Sequence, residues 1–251
     1  MKRAFLGFAA VLGLVLALWA PGAWAQPVPI PDIELTIGAP ESPAEVVASV
    51  RLLIFLTAIS LLPAFLVMVT SFTRIVVVLA FLRTAMGTHQ APPGSVLIGL
   101  ALFLTVFIMA PVYAQVNEQA IEPFLNEEID QVEAQERAAA PMREFMLRHT
   151  REKDLELFVQ MAEIEDPVPE TLPLTVVIPA FIISELKTAF QMGFMLYLPF
   201  LIIDMVVASI LLSMGMFMLP PVMISLPFKL LLFVLVDGWY LVVRSLVESF
   251  V

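Results

Sequence analysis

The sequence predicts an all-α membrane protein built from kinked helical hairpins, and three observations carry that prediction. The chain is 60% hydrophobic over 251 residues, with a mean hydropathy of +0.95, far above the roughly half-apolar composition of a soluble domain. Its apolar residues gather in runs of near-spanning length, chiefly 52–69, 96–110, 176–212 and 222–236. Those runs are interrupted by Pro63, by Pro179 and Pro199, and by Pro227, and Pro111 closes another. Broken helices are tolerated in a bilayer only where protein or water satisfies the freed backbone groups. The pattern therefore predicts helices packed in a multisubunit body around a cavity.

Residues 1–25 read as a secretory signal. Lys2 and Arg3 precede an apolar run, and Ala23-Trp24-Ala25 is a small-x-small site that sets cleavage between Ala25 and Gln26. Residues 26–50 form an arm outside the cytoplasm, proline-rich and extended as far as Pro43. Residues 51–116 make a first hairpin. Its apolar segment 52–69, kinked at Pro63, runs into a second helix carrying Arg74 and Arg83, and segment 96–110 follows a proline-rich turn. The positive-inside rule places this basic connection on the cytoplasmic side.

Residues 117–172 then fall outside the cytoplasm. They hold fifteen acidic residues against five basic, which accounts for the whole formal net charge of −10. Such a domain is a poor partner for nucleic acid or for an anionic membrane surface. Apolar spacing predicts two amphipathic helices, near Ile121–Ala138 and Met142–Ala162. About fifty residues bury little core alone, so the domain is expected to pack against neighbouring copies or partners. Residues 173–251 make a second hairpin. Segment 176–212 is long enough for more than one span, with Pro179 and Pro199 as kink points, and Asp237-Gly238 sets off an amphipathic last piece from Trp239.

The loop of this second hairpin, Ser213-Met-Gly-Met-Phe-Met-Leu-Pro-Pro221, is the candidate site. Met214, Met216 and Met218 alternate, Gly215 separates the first two and Phe217 the last two. An extended backbone, favoured by Pro220 and Pro221, puts all three thioethers on one side. Unbranched thioethers deform around many shapes, so copies gathered about an axis would form a gasket. The plainer reading is that methionine fills irregular gaps.

Charges inside apolar runs are costly unless paired or hydrated. Glu185 and Lys187 stand two apart and point to different faces, so each needs a partner elsewhere. Asp204 calls for a cation from Arg74, Arg83 or Lys229. Structural ion pairing is the leading role for these groups, and proton relay, as in an ion-coupled transporter, the second. Enzymatic chemistry finds little support. There is no cysteine, and His89 and His149 fall on opposite sides of the topology; H-E-x-x-H, G-x-S-x-G and phosphate-loop motifs are lacking. No metal or cofactor is expected.

Five blocks carry a resemblance: Thr70-Ser-Phe-Thr-Arg-Ile-Val-Val-Val78, Leu97-Ile-Gly-Leu-Ala-Leu-Phe-Leu104, Ser184-Glu-Leu-Lys-Thr-Ala-Phe190, Pro199-Phe-Leu-Ile-Ile-Asp204 and Leu226–Trp239. Together they resemble the FliP family of flagellar biosynthesis proteins, from about Arg51 to Phe250. The resemblance implies a non-enzymatic pore subunit of the type III export gate in the bacterial inner membrane. It implies a homopentameric ring completed by R-type and Q-type subunits into a helical gate, through which unfolded flagellar subunits pass. It assigns the gasket to Met214, Met216 and Met218, and subunit contacts to the block of Glu185 and Lys187. It also implies hairpins that are tilted and raised above the bilayer once assembled. The homologous virulence-type secretion apparatus is the alternative setting.

Overall fold

The structure, a computed structural model, describes residues 43–88 and 91–250. The signal segment, its cleavage site at Ala25 and Gln26, most of the arm, and His89 lie outside the described residues. The chain divides into two compact units, residues 1–52 and 53–251. The described part of the first is the opening of helix α1 (Pro43–Met68). Among the described residues there is no strand.

From Leu53 onward α1 shows no inward face: Leu53, Phe55, Ile59 and Leu61 are all exposed. A helix apolar all round and left uncovered by the other described residues is suited to lipid or to a partner. Pro63 sits inside it without ending it. The chain turns at Val69–Ser71 into α2 (Phe72–Ala85), the element the second unit is packed around. Ile75, Val78, Leu79, Leu82 and Ala85 have no exposed surface, and their three- and four-residue spacing makes one broad buried stripe. That stripe lies between α3 (Gly94–Val116), through Leu97, Ala101 and Met109, and α7 (Leu174–Ser213), through Val177, Phe181 and Ala189. Contact with α7 is so close that a Cβ on Gly193 would lie 2.6 Å from the Phe81 ring.

The acidic segment departs from its predicted boundaries. α3 runs through a π-helical turn, Asn117–Ile121, into the short α4 (Glu122–Leu125). The helix expected over 121–138 is cut at 126–130, and α5 (Gln131–His149) starts there because the Asp130 carboxylate accepts the Glu133 N–H at 2.8 Å. Asp130-x-x-Glu133 is a helix-start signal that outweighs apolar spacing. Pro141 is buried inside α5 instead of lying between two helices, and the break comes at Thr150-Arg151, where the backbone is extended before α6 (Glu152–Met161).

Segment 176–212 is likewise one helix, not two. α7 runs unbroken for 40 residues through Pro179 and Pro199, about 60 Å at the α-helical rise. Apolar surroundings offer no competing hydrogen-bond partner, so each proline removes one bond without ending the helix. α8 (Pro221–Leu235) and α9 (Gly238–Glu248) follow, bent 64° apart across Asp237, whose φ is 53°. Among the described residues three helices, Ser49–Met68, Gly94–Leu125 and Leu174–Ser213, are long and apolar enough to cross a membrane, and the bent α8–α9 pair would make a fourth span.

Candidate functional site

The methionine loop is a closed turn and not an extended strand. α7 ends in a paired cap: the Gly215 N–H donates to Leu212 O at 3.0 Å and the Met216 N–H to Leu211 O at 3.0 Å. Gly215 has φ +75°, the left-handed conformation this cap demands and glycine supplies most readily. Met214 therefore belongs to the helix end, and the three thioethers do not line one side of a strand. Phe217 and Met218 stand furthest out, at 77% and 97% exposure, with Met214 at 66%; Met216 is half-buried. Pro220 and Pro221 do more than stop a helix: Pro220 caps α8 and Pro221 is its first residue, where a missing N–H costs nothing.

Thirteen residues before Phe217 and twelve after it, α7 and α8 are pinned together. Lys229 Nζ donates to Asp204 Oδ2 at 2.5 Å and to Ala85 O at 3.2 Å, and the Ser225 hydroxyl donates to Asp204 Oδ1. Lys229 is 2% exposed. Its ammonium closes the C-terminal end of α2, where a cation complements the helix dipole. Of the three cations available to Asp204 it is Lys229 that meets it. Arg83 is half-buried and has no acidic partner among the described residues.

The other end of α2 carries a second pin. Arg74 donates from Nε to Glu185 Oε2 at 2.9 Å and from Nη2 to Glu185 Oε1, a two-pronged pair with both side chains buried. Its Nη1 donates to Ser249 O at 2.8 Å and to Ser249 Oγ at 2.9 Å, and the Phe250 ring lies 3.7 Å from the guanidinium carbon. The end of the chain thus completes the shell of a buried charge. Phe250 and Phe145 flank His149 at 5.0 and 4.9 Å. Burial, then the charges of Arg74 and Arg148, push His149 down to about 4.

Glu185 and Lys187 do turn to different partners. Lys187 Nζ is 3.9 Å from Asp154 Oδ1. Around it α6 is stitched to α7: the Ser184 hydroxyl donates to Asp154 Oδ2 at 2.8 Å and accepts the Arg151 N–H at 3.0 Å. Arg151 Nη2 donates to Gln191 Oε1 at 2.6 Å. Asp154, Arg151, Ser225, Ser249 and Phe250 are the residues sequence reasoning passed over, and Ser184 entered it only as part of the Ser184–Phe190 block. Ser225 and Lys229 are four apart on one helical face, a spacing that marks them as a unit.

The two pins neutralise charge where they stand, and this arrangement holds helices in register. Among the described residues no group of three or more His, Asp or Glu side chains could hold a metal ion. Fold and site together define an all-α membrane protein whose long hairpin is locked by buried ion pairs and presents an apolar loop at its tip.

Comparison with known proteins narrows this class. The FliP family model matches residues 55–246. The chain is 57% identical over 217 residues to the flagellar biosynthetic protein FliP of Bacillus subtilis, covering 86% of this chain and 98% of that protein. It is 54% identical to the protein of the same name from Pectobacterium carotovorum, over 95% of this chain and 92% of that one. For the Aquifex aeolicus protein, also named FliP, identity is 56% over 88% and 92%. The chain belongs to the FliP family.

Proposed function

We propose that this chain is a pore-forming subunit of the flagellar type III export gate in the bacterial inner membrane. Several copies, five by the family resemblance, close a ring with R-type and Q-type subunits, and unfolded flagellar subunits pass through its centre. The acidic domain faces the periplasm, and the methionine loops meet at the axis as the seal.

The exposed loop is the observation that carries this reading. Met214, Phe217 and Met218 stand in the open at the tip of a hairpin whose arms are fixed by Asp204 and Lys229. Large apolar side chains held out on a rigid stalk call for a partner surface, and thioethers suit one that must fit chains of varied shape. Family membership, with relatives named for flagellar biosynthesis, supports the flagellar setting over the virulence one. The proton-relay alternative needs a carboxylate free to exchange protons, whereas Asp204 is held by Lys229 and Ser225 and Glu185 by Arg74. The test replaces Met214, Met216 and Met218 together by alanine. The assembled complex is expected to form and to leak small ions in a planar bilayer; unchanged resting conductance would refute the seal.

A further inference from the structure

We propose that a glycerophospholipid binds along one face of α7, its phosphate on Arg151 and an acyl chain directed into the groove between α7 and α8. The inference is independent of the loop's role.

Arg151 is the starting point. Its backbone N–H and its Nη2 fix it to α7 through Ser184, Thr188 and Gln191, all uncharged acceptors. Among the described residues no carboxylate lies within ion-pair distance of it, and its Nε and Nη1 make no hydrogen bond. With Nη2 taken by Thr188 and Gln191, the fixed guanidinium keeps Nε and Nη1 free, each able to give a single charge-assisted hydrogen bond to a phosphate oxygen. Lys187, one turn from Gln191 on the same helix, has a side chain 47% exposed and only a 3.9 Å contact with Asp154. Asp154 itself is buried and held by Ser184; Glu152 is exposed, on the first turn of α6. The domain as a whole is acidic, which disfavours a charged membrane surface, but this corner of it offers cations to a single phosphate.

Below Gln191 the helix face becomes wholly apolar. Met195, Leu198, Ile202 and Val206 follow at intervals of four, three, four and four, one continuous stripe. Met195, Ile202 and Val206 are 69%, 60% and 53% exposed and Leu198 is half-buried, so among the described residues little covers the stripe. The stripe ends in a groove of about 450 Å³ lined by apolar side chains, among them Ile202, Val206 and Ile210 of α7 and Ile224 and Phe228 of α8. Fifteen residues separate Gln191 from Val206, about 22 Å at the helical rise. In a bilayer about 6 Å of interface and 15 Å of hydrocarbon separate the headgroup level from the end of one leaflet's chains. A lipid with its phosphate at Arg151 therefore carries its tail past Ile202 into the groove. Cation, stripe and groove are in register over one lipid length.

The test uses the full-length protein purified in detergent, delipidated, and examined by native mass spectrometry. Phosphatidylethanolamine and diacylglycerol with the same acyl chains are added in turn. One phosphatidylethanolamine per chain is expected to be retained, about tenfold more tightly than diacylglycerol, the worth of one charge-assisted hydrogen-bonded group. Arg151→Gln should bring phosphatidylethanolamine down to the diacylglycerol level, with the diacylglycerol signal unmoved. Val206→Trp, which fills the groove and leaves the α6–α7 stitching alone, should weaken both lipids and keeps the test decisive if the arginine variant misfolds. Equal retention of the two lipids in the parent protein would overturn the proposal. So would an Arg151→Gln variant that keeps its phospholipid, or one that loses only self-association and thereby shows that an acidic group of a second copy is the true partner.

Discussion

Replacing Glu185 by alanine should cost the second unit about as much as any single substitution in it. Glu185 has no exposed surface and the Arg74 side chain is 4% exposed. Removing the carboxylate leaves a guanidinium buried between α2 and α7, with Ser249 and the Phe250 ring as its remaining company. Breaking one partner of a buried pair costs about 3–5 kcal/mol, chiefly because the other charge stays behind unpaired. Arg74→Met strands the carboxylate instead and should cost a similar amount. The double variant Arg74→Met with Glu185→Leu removes both charges and fills the space with apolar atoms. It sacrifices the bonds to Ser249 and the charge contact with the Phe250 ring, so it should return to within about 1–2 kcal/mol of the parent. Equilibrium unfolding in detergent, followed by circular dichroism across a denaturant series, gives the four free energies of the cycle. Single variants within about 1 kcal/mol of the parent, or a double variant no better than either single, would refute the reasoning.

Two further outcomes follow from the same geometry. His149 is held at about 4 against an ordinary value of 6.5, so the folded state resists its protonation. Its contribution is complete above pH 6.5 and is lost as pH falls toward 4; allowing for its partial exposure, the loss is about 1–2 kcal/mol. Unfolding measured across that range should slope in the parent and flatten in His149→Gln; identical slopes would contradict the assignment. Gly215→Ala should lower stability by about 1–2 kcal/mol, because alanine resists positive φ, and Gly215→Asn should lower it less; equal stability of the alanine variant in the same unfolding assay would remove the cap from the account.

How much of this was legible beforehand depends on which residues are asked about. Helical class and membrane character followed from the apolar runs, because composition alone decides where backbone groups find partners. The need of Asp204 for a cation was equally plain, although spacing left three choices. The structure selects Lys229 for a reason that was present in the sequence: Asp204 and Lys229 lie almost equally far from Phe217, so folding an antiparallel hairpin about the loop brings them level. Arg74 and Glu185, 111 residues apart, carry no such symmetry, and only the packing of α2 on α7 unites them. Pro179 and Pro199 read as kink points, and both lie within the continuous helix α7. In the acidic segment apolar spacing was the weaker guide, since the capping signal Asp130-x-x-Glu133 and not periodicity fixes the start of α5. The methionine spacing points to an extended loop, but the left-handed preference of Gly215 closes a turn there instead.

The convergence of the loops is the central claim of the proposed gate, and the sequence makes it easy to probe. The chain has no cysteine, so Met218→Cys places a single thiol on the most exposed side chain of the loop. Mild oxidation of the purified assembly, followed by non-reducing electrophoresis, should give disulfide-linked dimers if neighbouring loops meet at one axis. An intact assembly that yields only monomers would contradict the account.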